Sequence, residues 1–185
     1  MVEVHNINEL IGIIRGVNFD GIINKKEIVQ LKSWVNKNRN LVYDYSQVEL
    51  IKLLDEILED NIITAEEKKL LIRYSEKILN EESNESSKIC ELNGIIEGIV
   101  CDGVVNEQEV YRLKCWMDVF GDSIRDNKSS ESLYKIVNDI LDDGVVTEEE
   151  QEELLQILSK RISNSHFEIK LEHLKKLVKA RKNIG

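Results

Sequence analysis

Four sets of oxygen-bearing side chains recur with one spacing along this 185-residue chain. Each has an aspartate, a turn residue, two β-branched residues, a helix-capping residue and a glutamate three positions beyond the cap. The first set is Asp20, Gly21, Asn24 and Glu27, and the second is Asp60, Asn61, Thr64 and Glu67. The third is Asp102, Gly103, Asn106 and Glu109, and the fourth is Asp143, Gly144, Thr147 and Glu150. Two kinds of chemistry use such sets. Convergent oxygens can ligate a hard divalent cation, which takes about six to eight of them. Oxygens turned to the backbone instead satisfy the orphan amides of a helix start.

The spacing matches the second half of an EF-hand calcium loop, but the first half is missing. An acid is needed at the first loop position, where the chain has Gly16, Glu56, Glu97 (by a register shift) and Asp139. An acid or Asn is needed at the third, where it has Asn18, Leu58, Val100 and Leu141. Apolar residues at three of these four positions favour a structural corner over a cation site. Asn24, Thr64, Asn106 and Thr147 are good N-caps, and the glutamates three residues on complete four capping boxes. Gly21, Gly103 and Gly144 suit a left-handed residue closing the preceding helix, and Asn61 tolerates that conformation next best. No other catalytic or ligand set appears. Cys90, Cys101 and Cys115 with His5, His166 and His173 make no zinc spacing, and read as reduced thiols and scattered imidazoles. There is no nucleophile elbow, phosphate loop or HExxH, so the expectation is a non-enzyme without a cofactor.

The corners join amphipathic helices. No Pro occurs, and Leu, Ile and Val recur at helical spacing, which predicts an all-α chain. Leu10, Ile13, Ile14 and Val17 stripe a first helix over 7–19; Ile28, Leu31, Trp34 and Val35 stripe a second over 25–37. Ser46 with Glu49 predicts a third helix start, and a fourth helix follows over 65–80. After a polar stretch the pattern begins again: Leu10 to Gly16 is matched by Leu92 to Gly98, and Leu31–Trp34 by Leu113–Trp116, 82 residues later. The reading is a tandem duplication of a four-helix unit, each a pair of EF-hand-like helix–turn–helix elements. The first repeat spans 1–80, a linker 81–88, the second repeat 89–164, and a basic C-terminal helix 165–185. Ile22-Ile23 are expected to pair with Ile62-Ile63, and Val104-Val105 with Val145-Val146, as the only β content. Gly12/Gly16 and Gly94/Gly98 read first as points of close helix approach, with a docking partner as the alternative. Trp34 and Trp116 read first as core anchors rather than interface residues.

The net charge of −10 is uneven. Residues 166–185 carry Lys170, Lys175, Lys176, Lys179, Arg181 and Lys182 against Glu168 and Glu172, 6 − 2 = +4, leaving −14 on the rest. An acidic body repels phosphates, so direct nucleic-acid binding is expected only through the tail. Those six cations are the candidate partner-binding residues; the tail could dock on the acidic body, cover an apolar edge or bind a partner. No apolar run reaches a membrane span and the start lacks a secretory signal, so a cytoplasmic protein is expected.

The stretch Gly94 to Glu109, with 12–34 following it, resembles two bacterial groups: the TerB-like (tellurite-resistance) helical domain and a helical module that accompanies BRCT domains. The resemblance covers two stretches of about 23 residues each. It implies an all-α domain associated with stress and phage-resistance systems, and divalent metals held by acidic residues; no motif transfers individual ligands, and no BRCT domain is present. Together these readings favour an adaptor or accessory subunit that meets other protein subunits in a bacterial assembly serving defence, stress response or DNA maintenance. The alternative is a TerB-like divalent-cation-binding or sensing protein. Homo-oligomers are compatible with either.

Overall fold

The computed structural model describes residues 3–42, 44–79, 85–124 and 126–164. The expected C-terminal helix over 165–185, with Lys170, Lys175, Lys176, Lys179, Arg181 and Lys182, lies outside the described residues. The chain is all-helical. In order it forms α1 (Glu3–Gly16), α2 (Lys25–Asn38), α3 (Tyr45–Ile57), α4 (Ala65–Leu79), α5 (Glu85–Val100), α6 (Glu107–Phe120), α7 (Lys128–Leu141) and α8 (148–164). No helix among the described residues is long and apolar enough to cross a membrane.

Two helices form the centre. In α1, Ile7, Leu10, Ile11, Ile13 and Ile14 are all buried, and in α5 so are Leu92, Ile95, Ile96 and Ile99. A helix apolar this far round its circumference belongs inside. The two pack on each other through their glycines. A Cβ at Gly12 would stand 2.1 Å from the Glu91 carbonyl oxygen, and one at Gly94 would stand 2.0 Å from that of Glu9. Gly16 approaches the Ile95 carbonyl and Gly98 that of Ile13 in the same way, at 2.3 and 2.8 Å. Each contact has its counterpart 82 residues on. Glycine costs about 1 kcal/mol per helical position against alanine; the backbone contact it permits offsets that cost.

The other helices contribute one apolar face each to the two cores around this pair. Ile28, Leu31, Trp34 and Val35 of α2 and Leu50, Ile51, Leu54 and Ile57 of α3 build one core; Val110, Leu113, Trp116 and Met117 of α6 with Leu154 and Leu158 of α8 build the other. The cores exchange one residue each. Cys101 packs on the first and Phe19 on the second, again 82 apart. Both tryptophans are buried and donate to a glutamate: Trp34 Nε1 to Glu9 at 3.3 Å and Trp116 Nε1 to Glu91 at 3.1 Å.

Three expectations are corrected. No strand is present among the described residues, so the β pairing of Ile22-Ile23 with Ile62-Ile63 and of Val104-Val105 with Val145-Val146 does not form. The amide of the first residue of each pair is instead taken by the corner aspartate: Ile22, Ile62, Val104 and Val145 donate to Asp20, Asp60, Asp102 and Asp143 at 2.8–2.9 Å. Helix α3 is capped not by Ser46 but by Asp44, whose carboxylate accepts from the Ser46 amide at 2.8 Å, while Glu49 pairs with Lys52. Helix α5 begins at Glu85, inside the stretch read as a linker over 81–88. Ser87 and Lys88 are buried there, and the Lys88 ammonium lies 4.0 Å from the centre of the Phe120 ring and 2.8 Å from Glu91.

Candidate functional site

All four corners have the expected local geometry. Gly21, Gly103 and Gly144 are left-handed, with φ of 78°, 85° and 76°, and Asn61 is at 62°. They do not close the preceding helix directly. After Gly16 the chain makes a further turn, Phe19 N–H to the Gly16 carbonyl and Gly21 N–H to that of Asn18, before the left-handed residue redirects it. The caps follow: Glu27, Glu67, Glu109 and Glu150 accept from the cap amides of Asn24, Thr64, Asn106 and Thr147 at 2.5–2.9 Å. In return the cap side chains accept from the glutamate amides at 3.0–3.3 Å.

The corners then meet in a row. Lys32 Nζ donates to Asn61 Oδ1 at 2.6 Å, and Lys68 Nζ to the Gly21 carbonyl, joining the second corner to the first. The first meets the third by a reciprocal exchange: Asn24 Nδ2 donates to Asp102 Oδ2 at 3.0 Å and Asn106 Nδ2 to Asp20 Oδ2 at 3.5 Å. Lys26 Nζ adds a bond to the Asp102 carbonyl at 2.6 Å. Gly144 of the fourth corner lines a cavity with Glu107 at the start of α6.

The reciprocal exchange explains a choice of residue that sequence reasoning passed over. The corners use Asn, Thr, Asn, Thr as caps. A threonine hydroxyl is consumed locally, since Thr64 and Thr147 donate to their own glutamates at 2.7 and 2.8 Å. An asparagine accepts at the helix start through Oδ1 and still has an NH2 group to donate elsewhere. The Asn/Thr alternation was therefore the readable sign of which corners would meet.

This meeting buries charge. Glu27 and Glu109 are 2% and 4% exposed. Burial pushes the Glu27 carboxyl up to about 7, against the lowering effect of the Asn24 amide, with Asp20 and Asp102 adding to the rise. Burial likewise pushes Glu109 up to about 8, opposed by the Asn106 amide and reinforced by Asp20, Asp102 and Glu27. The neighbouring Cys101 thiol is raised to about 12, first by burial and then by Glu27, Asp102 and Glu109. The carboxylate oxygens face N–H donors rather than a common point, and no group of three or more His, Cys, Asp or Glu among the described residues could hold a metal ion. Caps and corner acids thus form a joint between the halves.

A second buried charge cluster lies at the start of α5. Glu91, with no exposure, accepts from Arg15 at 3.0 Å, Lys88 at 2.8 Å and Trp116 at 3.1 Å. Its counterpart Glu9 meets Trp34. Sequence gave no sign of this network, because its members lie 76 residues apart, from Arg15 to Glu91. Each corner leaves its first aliphatic residue in solvent. Ile22, Ile62, Val104 and Val145 are 69%, 64%, 58% and 60% exposed. No protein family, curated protein or solved structure matches this chain.

Proposed function

We propose that this chain is a non-catalytic adaptor, an accessory subunit that joins other proteins in a bacterial cytoplasmic assembly of the defence, stress-response or DNA-maintenance type. The observation that carries the reading is the row of exposed aliphatic residues, one per corner. Each corner holds its second aliphatic inward and leaves the first in solvent, and side-chain bonds join the first corner to the second and to the third. An apolar edge rimmed by acids is a docking surface for proteins. A tandem copy of a four-helix unit, resembling the TerB-like domain, would produce such a row by repetition; the matching contacts at an offset of 82 support that origin.

The test is a chain carrying Ile22→Ser, Ile62→Ser, Val104→Ser and Val145→Ser together. Exposed sites change stability by only about 0.5 kcal/mol each, so the variant is expected to remain folded. Recovered from its native cells, the unaltered chain is expected in a defined complex. The variant is expected to bind that complex's other subunit at least about 100-fold more weakly, the loss of roughly two central contacts. An unaltered chain recovered as a clean monomer would overturn the reading.

A further inference from the structure

The two cores share many positions, among them Leu10/Leu92, Leu31/Leu113 and Trp34/Trp116, but their outer surfaces differ. In the first half two cross-links tie α2 and the residue that follows it to the elements beside them: Lys32 to Asn61, and Arg39 to Asp55 through two bonds of 2.6 and 2.7 Å. At the corresponding places the second half has Lys114 with Gly144, and Gly121 with Asn138. Gly144 and Gly121 have no side chain to offer. Lys114 turns instead along its own helix to Asp118, at 2.7 Å, which also accepts from the Tyr134 hydroxyl at 2.7 Å. Two cavities of about 540 and 480 Å³ open where the cross-links are missing, and Asp118 lines both.

The two cavities adjoin at Asp118 and follow α6, one beside Gly144 of the fourth corner and the other beside α7; together they are called the groove. From Glu107 to Gly121 it is about 21 Å long at the rise of a helix. Its apolar walls include Tyr111, Met117, Ile124 and Leu141. Its charges are Glu107, Asp118, Glu131 and Asp139 against Lys114 and Lys135, 4 − 2 acids in excess, or −2. One end is fixed by Ser130, whose hydroxyl accepts from Arg161 of α8 at 3.0 Å; Ser129 accepts from the same guanidinium at 2.5 Å. The described part of α8 reaches residue 164, three residues beyond Arg161, and 21 residues of sequence follow it.

We propose that the groove along α6 is occupied by this chain's own segment 166–183. Phe167, Leu171, Leu174 and Val178 recur at helical spacing over a length of about 17 Å if helical, which fits the groove. The segment's charge of +4 opposes the groove's −2. An amphipathic helix in an apolar groove is a common mode of recognition, and a tether on the same chain raises the segment's effective concentration. The basic tail and the acidic second half then act as an internal strap, and a partner for either must first displace the other.

Cys115 supplies the test, because it is exposed and lines the groove. Cys90 and Cys101 are poor competitors, since burial raises their thiols to about 11 and 12. In the full chain carrying Leu174→Cys, mild oxidation is expected to form a disulfide between Cys115 and the introduced thiol, within one molecule and at a rate independent of protein concentration. Peptide mapping showing no such bond, or a bond only between two copies, overturns the proposal. Labelling of Cys115 by a neutral thiol reagent gives a second reading that leaves the folded body untouched. The full chain carrying Leu171→Asp with Leu174→Asp is expected to label about tenfold faster than the unaltered chain; equal rates overturn the proposal.

Discussion

Replacing Gly94 with alanine is expected to destabilise the protein by at least about 3–5 kcal/mol, in the range of the most damaging single changes. In an exposed helix the same change would stabilise by about 1 kcal/mol, through propensity and the restricted unfolded chain. Here the added methyl would sit 2.0 Å from the Glu9 carbonyl oxygen and 2.8 Å from its carbon. Both are backbone atoms in the middle of α1, so no rotamer change can relieve the clash. The helices must separate, and the close contacts at Gly12, Gly16 and Gly98 loosen with them. Gly12→Ala should behave the same way, since its Cβ meets the Glu91 carbonyl at 2.1 Å. The double variant should cost less than the sum, because the first methyl already opens the crossing. Gly121→Ala is the control: nothing lies within 4 Å of its Cβ and its φ is −55°. A shift of about 2–4 °C in melting temperature per kcal/mol for a chain this size makes the contrast easy to read by thermal or urea denaturation. A Gly94→Ala protein as stable as the parent would show that α1 and α5 do not touch.

What could be read from sequence was local. An aspartate two residues before an amide, a glycine where φ must be positive, and a cap with glutamate three positions on are fixed by contacts within about eight residues, and the caps and left-handed residues of all four corners are as expected, although an extra turn separates them from the preceding helix. The glycine pairs also announced a close approach, but not its partner. Helices α1 and α5 are separated by three other helices in the chain, and periodicity carries no information on which face meets which. The corners do not pair as strands for a specific reason. The amides of Ile22 and Val104 need no β partner, because their own aspartates already satisfy them at 2.8 and 2.9 Å. Once they are satisfied, what remains free to cross between corners is the asparagine NH2. The start of α5 is hidden in the sequence because 80–88 lacks apolar side chains, and a lysine ammonium seated over Phe120 leaves no apolar signature. The groove along α6 was invisible for a related reason: it arises from side chains absent at Gly121 and Gly144.

Stability is expected to fall as pH rises from about 5 to about 8, the reverse of the usual carboxylate trend. Glu27 and Glu109 lie near 4.5 in an unfolded chain and near 7 and 8 when folded. Between these values the folded state binds more protons than the unfolded one, so each rise in pH favours unfolding. The contribution is fully present below about 4.5 and is gone above about 8. Other groups facing the pair work in the same direction or lie elsewhere: Asp20 and Asp102 raise both carboxyls, Cys101 titrates higher, and Lys26 reaches only the Asp102 carbonyl. Asp118, held below the ordinary range by hydrogen bonds from Lys114 and Tyr134, has the opposite sign but acts further into acid. At 1.36 kcal/mol per unit, and with the two sites sharing neighbours so that their effects do not add, about 3 kcal/mol is expected across the window. Glu27→Gln with Glu109→Gln isolates this term. Glutamine keeps an oxygen to accept from the cap amide and cannot ionise. The double variant should match the parent near pH 5 and melt about 6–12 °C higher at pH 8, with a flat profile between. A parent profile that is already flat, or a variant that slopes as steeply, would mean that the two carboxyls stay ionised in the fold and that the joint between the corners tolerates their charge.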